Sequence, residues 1–298
     1  MRSGILIGIA IFLLLGVTAE KGCTVDIPWS GLPDLAIRSE IIAMGTVTSR
    51  DENTIMITER ILKGRAPKEL NIIDTIKVGW LAVNYVENEK VILFLKSVEA
   101  NTAYLTSGYL SKWPRDTISE YSNILDRASV ESIVGLVNQI LYIESKTDLN
   151  DRVKIIKGWL DSSDSLLTLV ALQYALSSHI WPEGLSPDYQ KGITKNNVRK
   201  QLSGYAFKLI QSNNPEIQEE SIRLLRYADS KSVLPVLINK ITDPNKYVRE
   251  ATSSVLFSIL HEKDLNDDLK YDYNESSEEL LSVQRKWQEW YDNEFINK

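Results

Sequence analysis

The sequence predicts an α+β protein of two domains, a small five-stranded antiparallel β-barrel followed by an all-α helical array. Three observations predict it. Residues 41–108 break into short runs of Ile, Val, Thr and Tyr separated by turn-forming clusters. From about Asp116 the apolar residues recur three and four apart. Within that second part, one stretch repeats at an offset of 31 residues. The boundaries expected are 1–19 for a cleaved leader, 20–112 for the barrel and 113–298 for the helices.

The chain begins MRSGILIGIAIFLLLGVTAEKG. Arg2 supplies a positive start, Ile5 to Val17 an apolar run, and Val17-Thr18-Ala19 a small-residue cleavage site. That run is shorter than the roughly 20 residues a membrane-spanning helix needs. The expectation is a secretory signal, a mature N-terminus at Glu20, and a secreted or cell-envelope location with no membrane span after cleavage. Cys23 is the single cysteine, so an internal disulfide is excluded. Glu20 and Lys21 precede it where a lipidation signal carries small or apolar residues.

The strand runs are IIAMGTVTS, NTIMITERIL, ELNIID, KVILFLKSV and TAYLTSGYL. In the second, Ile55, Ile57 and Ile61 fall on one face and Thr54, Thr58 and Arg60 on the other, which suggests a strand half-buried on its isoleucine side. Gly45 and Val47 end the first run, ILKG (Ile61 to Gly64) ends the second, and EKVILFL (Glu89 to Leu95) forms the fourth. On these motifs residues 34–109 resemble the netrin module, the five-stranded barrel related to oligonucleotide-binding folds and found in tissue inhibitors of metalloproteinases. Members of that family often carry Cys-x-Cys near the mature N-terminus. Here Cys23 is followed by Thr24 and Val25, so the zinc-chelating inhibitory mechanism is not implied.

The helical runs are DRVKIIKGWLDSSD, SLLTLVALQYAL, VRKQLSGYAFKLIQSNN, PEIQEESIRLLRYAD and KSVLPVLINKIT, most of them bounded by Asp, Asn, Ser or Pro. NNPEIQEESIRLL aligns on PNKYVREATSSVL at the offset of 31, with Ile217 on Val248, Ser221 on Thr252 and Leu224-Leu225 on Val255-Leu256. A looser copy, DSLLTLVALQYAL, places Ala171 on Ala251 and Leu176 on Leu256. The pattern Asp243, Asn245, Val248, Arg249, Ala251 resembles the HEAT-like repeat, whose helices stack into a solenoid. Asp243 is the expected helix cap and Pro244 the expected first helical residue. Ala251 is the expected close-contact position, and Arg249 is expected to reach an acceptor in the adjacent repeat. In the last helix, Leu280, Val283, Trp287, Trp290-Tyr291 and Phe295 form one stripe, expected to cap the array.

Chemistry-bearing motifs are sparse. No Gly-x-Ser-x-Gly elbow, Gly-rich phosphate loop or zinc-binding Cys pair occurs. His179 and His261 are the two histidines, and Leu265 stands where a His-Glu-x-x-His helix needs its second one. No catalytic residue, cofactor or enzyme activity is expected on this basis. The weak metal candidate is a calcium loop with EF-hand spacing: Asp264, Asn266, Asp268, Asp272 and Glu275 at positions 1, 3, 5, 9 and 12. Leu269 replaces the glycine at position 6 and Tyr271 the aliphatic at position 8, which argues for an acidic interhelical loop instead.

The net charge of −6 is carried by the C-terminal tail, where residues 262–298 hold 11 acidic and 5 basic groups. Along the chain no run of basic residues stands out, so nucleic acid is not an expected partner. The function expected is non-catalytic: a binding or scaffold protein presenting its helical repeats to a protein partner. The alternative is a secreted enzyme or enzyme inhibitor acting through the barrel.

Overall fold

The computed structural model describes residues 31–50, 53–73, 85–99, 102–105, 112–113, 125, 127–177, 195–262, 269 and 271–296. The leader and Cys23 lie outside the described residues. The architecture is α+β, with a curled sheet first and a helical region after it. The strands are β1 (Ile41–Arg50), β2 (Asn53–Lys63), β3 (Glu69–Ile73), β4 (Lys90–Glu99), β5 (Thr102–Leu105) and β6 (Lys112–Trp113).

β1 lies between β2 and β4 and is antiparallel to both. β3 is antiparallel to β2, and β5 to β4. It follows that β3 and β5 point the same way. They pair in parallel, with Asn71 opposite Thr102 and Ile73 opposite Tyr104. The expectation of an all-antiparallel arrangement is thereby corrected.

The inner face of the sheet buries Ala43, Val47, Met56, Leu70, Val91, Leu93 and Leu95. On β2 this reverses the expected face: Met56 is fully buried, Ile55 and Ile57 are half-buried, and Ile61 is 41% exposed. A two-residue period states that a strand has two faces, but not which one the curl encloses. β4 is apolar on both sides because both are covered. Ile92 and Phe94 are also fully buried, and helices α1 and α2 contact this strand.

Two glycines make the curl possible. The β1–β2 register shifts between Met44 and Gly45, and a Cβ at Gly45 would collide with the carbonyl oxygen of Ile57. Gly64 has φ +74°, and a Cβ there would stand 2.5 Å from the carbonyl oxygen of Glu40. The two glycines belong to two of the three motifs on which the netrin-module resemblance rests.

The helices are α1 (Leu32–Arg38), α2 (Val130–Glu144), α3 (Leu149–Leu160), α4 (Ser165–Leu176), α5 (Lys195–Leu209), α6 (Pro215–Leu225), α7 (Ser230–Lys240), α8 (Lys246–Glu262) and α9 (Ser277–Tyr291), with a π turn at Asp292–Ile296. α1 precedes the sheet and is not among the expected elements. Pro33 in its first turn and Asp34 near its N-terminus are the local signals for it. Its Leu32, Leu35 and Ala36 are buried, and it packs against α2, α4 and β4.

α4 packs on α6 and α6 on α8, while α3 contacts α4 and α5, and α7 contacts α8 and α9. Three of these helices start in the same way. Asp164 Oδ1 accepts from the amides of Leu166 and Leu167, Asn214 Oδ1 from Glu216 and Ile217, and Asn245 Oδ1 from Tyr247 and Val248. Each capping residue in turn donates its own amide two residues back, to Ser162, Ser212 and Asp243. The cap of α8 is therefore Asn245 rather than Asp243, and Pro244 precedes the cap instead of opening the helix. The reason lies in reach. An Asx side chain caps amides two and three residues ahead, which from Asn245 are those of Tyr247 and Val248 in the first turn, whereas Asp243 accepts from the amide of Asn245 ahead of the helix. Aligning on the caps also moves the looser copy by one residue, so that Val170, not Ala171, matches Ala251.

Candidate functional site

The expected site residues divide into three groups. Cys23, His179 and the side chain of His261 lie outside the described residues. Of the calcium-loop candidates, Asp264, Asn266 and Asp268 also lie outside them, whereas Asp272 and Glu275 are described.

Those last two are tied to one another. The amide of Asp272 donates to Glu275 Oε1 at 3.2 Å, and Glu275 donates its amide to the Asp272 carbonyl at 3.1 Å. Asp272 Oδ1 also accepts from the Asn274 amide. Leu269 and Tyr271 are buried, and the Leu269 carbonyl accepts from Trp287 Nε1 at 2.9 Å. Among the described residues no group of three or more acidic, His or Cys side chains is placed to hold a metal ion.

Trp287 belongs to the stripe expected to cap the array. Leu280, Trp287 and Tyr291 are buried, and α9 lies on α7. The interior Pro235 of α7 has no N–H to give the carbonyl of Lys231, and the Tyr291 hydroxyl donates to that carbonyl at 3.3 Å. Gln284 donates to the carbonyl of Ile238 near the end of the same helix. α9 thus covers apolar surface and meets the Lys231 carbonyl that Pro235 leaves without its helical partner.

Arg249, expected to reach an acceptor in the adjacent repeat, donates instead to carbonyls of the segments before α8 and α9. Its Nε donates to the Tyr273 carbonyl at 2.9 Å, ahead of α9, and its Nη1 to the Asp243 carbonyl at 2.8 Å. Two further arginines do the same work, and neither was anticipated. Arg199 donates to the carbonyls of Ala175, Leu176 and Ser177 at the end of α4, and to the Tyr227 hydroxyl. Arg152 donates to the carbonyls of Glu144 and Lys146 at the end of α2. A guanidinium suits a helix C-terminus because its fork meets several orphan carbonyls and its charge opposes the negative end of the dipole. In the sequence Val198-Arg199 repeats the pair Val248-Arg249 and could have pointed to Arg199, whereas no such pair marks Arg152.

The polar groups between sheet and helices converge on Glu144. Its carboxylate accepts from Arg152 Nη1 at 3.2 Å and from the fully buried Tyr174 hydroxyl. Burial, with the Glu144 charge adding to it, raises the Tyr174 pKa far above the usual phenol range. Lys63, at the end of β2, donates to the carbonyls of Ala36 and Ile37 and so closes α1. Burial lowers its pKa, against the opposing pull of Glu144 and Glu40. These groups read as fasteners between elements.

A second charged set sits on α6 and α8. Burial pushes Glu220 up to about 7, with Arg223 opposing and Glu219 adding to the rise. Burial also raises Glu219, whose Oε1 accepts from Arg223 Nη2 at 2.8 Å, and Glu250 on the neighbouring helix raises it further. Glu219 and Glu250 stand 31 residues apart, at the same position of successive repeats.

No protein-family model, no curated protein and no solved structure matches this chain.

Proposed function

We infer that this chain is an exported, non-catalytic binding or scaffold protein that presents a HEAT-like solenoid behind a five-stranded, netrin-module-like barrel. The observation that carries the reading is the threefold repetition of one helix start, at Asp164, Asn214 and Asn245, on helices that pack on one another in order. Stacked repeats of this kind present extended side surfaces, which is what makes them binding scaffolds. α9 with its buried Trp287 serves as the terminal cap, and the buried arginines hold successive helices in register.

Photo-crosslinking in the native envelope fraction tests this reading. A benzoylphenylalanine at exposed Asn239 in the helical half is expected to yield a discrete protein adduct, and one at exposed Val86 beside the sheet is not. Adducts from Val86 alone would assign binding to the barrel. Recovery of the chain from the cytoplasm with its first 19 residues intact would overturn export.

A further inference from the structure

We propose that the exposed stripe shared by α3 and α5 docks an acidic, extended segment of a partner protein, about six or seven residues long. The proposal rests on the binding reading above and names the surface and the chemistry of its partner. The helices of the array segregate their charge. α3, α5 and α7 carry nine Lys and Arg against the single Asp151, whereas α4, α6 and α8 carry five Glu against three Lys and Arg. The basic helices are not consecutive: α4 separates α3 from α5 along the chain, and acidic α6 separates α5 from α7. Folding removes that dilution, because α3 and α5 are in contact.

The stripe can be followed residue by residue. On α3 it runs through Lys154, Lys157 and Gly158 to Asp161, and on α5 through Lys200, Gln201 and Gly204 to Lys208. Lys208 Nζ lies 3.5 Å from Asp161 Oδ1, so the C-terminal ends of the two stripes meet. Among the described residues no carboxylate pairs with Lys154, Lys157 or Lys200.

The second observation concerns glycine. Gly158 and Gly204 lie inside helices, where glycine costs roughly 1 kcal/mol relative to alanine. Nothing stands within 4 Å of where a Cβ would be at either position, so neither glycine is required by packing. Both are on the lysine stripe and leave helix backbone bare between the ammonium groups. An extended chain can settle there, close to the lysines on either side. α5 has 15 residues and is about 22 Å long at 1.5 Å per residue, which an extended segment covers in about seven residues at ~3.3 Å each.

An acidic protein segment fits better than a long polyanion. The chain carries a net charge of −6, and the Glu-rich α6 packs on α5 beside this face, so a nucleic acid or an anionic membrane surface meets repulsion beyond the stripe.

The test is fluorescence anisotropy of the mature protein with a labelled heptaglutamate peptide, at low salt and at 0.5 M NaCl. Parallel arms use a ten-residue oligothymidylate and phosphatidylserine vesicles. The expected result is peptide binding that salt abolishes and that Lys154→Glu, Lys157→Glu and Lys200→Glu together weaken at least about tenfold. Gly204→Leu keeps the charge and improves helix propensity, and it is expected to weaken binding several-fold while the melting temperature holds or rises. Peptide affinity unchanged in both variants would overturn the proposal. Tighter binding of the oligonucleotide or the vesicles than of the peptide would also overturn it, in favour of a different partner class. Peptide binding lost in these variants while the Asn239 adduct persists would place the partner of the broader reading on another face. Loss of both would join the two sites.

Discussion

The sheet and the helical array solve the same problem in opposite ways. Each must satisfy its backbone and bury an apolar face. The sheet does so with positions that occur once: Gly45 where two strands close on each other, Gly64 in a left-handed turn, and β4 covered on both faces. The array does so with devices that recur: an Asx cap at each of three helix starts, and a buried or half-buried arginine on each of three sets of carbonyls. A structure of singular positions fails at a point, whereas a structure of repeated devices is expected to lose stability in instalments.

The largest contrast is at Gly45. A valine there places side-chain atoms against the Ile57 carbonyl and the Met56 side chain, with backbone on one side that cannot move cheaply. Gly45→Val is expected to cost more than about 3 kcal/mol and to abolish the β signal in circular dichroism. A folded variant with wild-type melting would show that the β1–β2 register is wrong.

Ala251 is the corresponding position of close approach in the array, fully buried on α8. Ala251→Leu is expected to cost roughly 1–3 kcal/mol by overpacking, measured by urea denaturation. An unchanged midpoint would mean that the helices part there without strain.

The α6–α8 carboxylates give the array a pH dependence of definite sign. Glu220 is held protonated to about 7 when folded, against a usual value of 4.5. Between those pH values the folded chain binds a proton that the unfolded chain has released, so this group's contribution to stability falls as pH rises through that window. Glu220→Gln is expected to stabilise by about 2 kcal/mol at pH 8 and by much less at pH 4. Thermal melts at the two pH values decide it, and an equal effect at both would refute the linkage.

The cap substitution is smaller. Asn245→Ala and Asn214→Ala should each cost about 1 kcal/mol, and nearly the same amount as each other, since the two caps make the same pair of hydrogen bonds. Unequal losses, beyond what chemical denaturation resolves, would break the equivalence of the repeats. Least in size and opposite in sign is Gly204→Ala, expected to stabilise α5 by about 0.5–1 kcal/mol because open space surrounds the new methyl group.

The sequence by itself determined what depends on neighbours a few residues away. The α+β order, the strand runs and the helical segments from α3 to α9 were legible in it, because periodicity and Asx caps act within one turn of chain. Even so, the cap of α8 was misplaced by two residues, from Asp243 to Asn245, since both are Asx residues and only one has the free amides in reach. α1 was missed because seven residues are too few to establish a period. The tertiary structure alone decided which face of β2 is enclosed, that β3 and β5 run parallel, and that Arg199 meets the end of α4. It alone brought the lysines of α3 and α5 together. Each of these is set by segments tens of residues apart, and the side-chain pattern of one segment contains no record of which other segment will cover it.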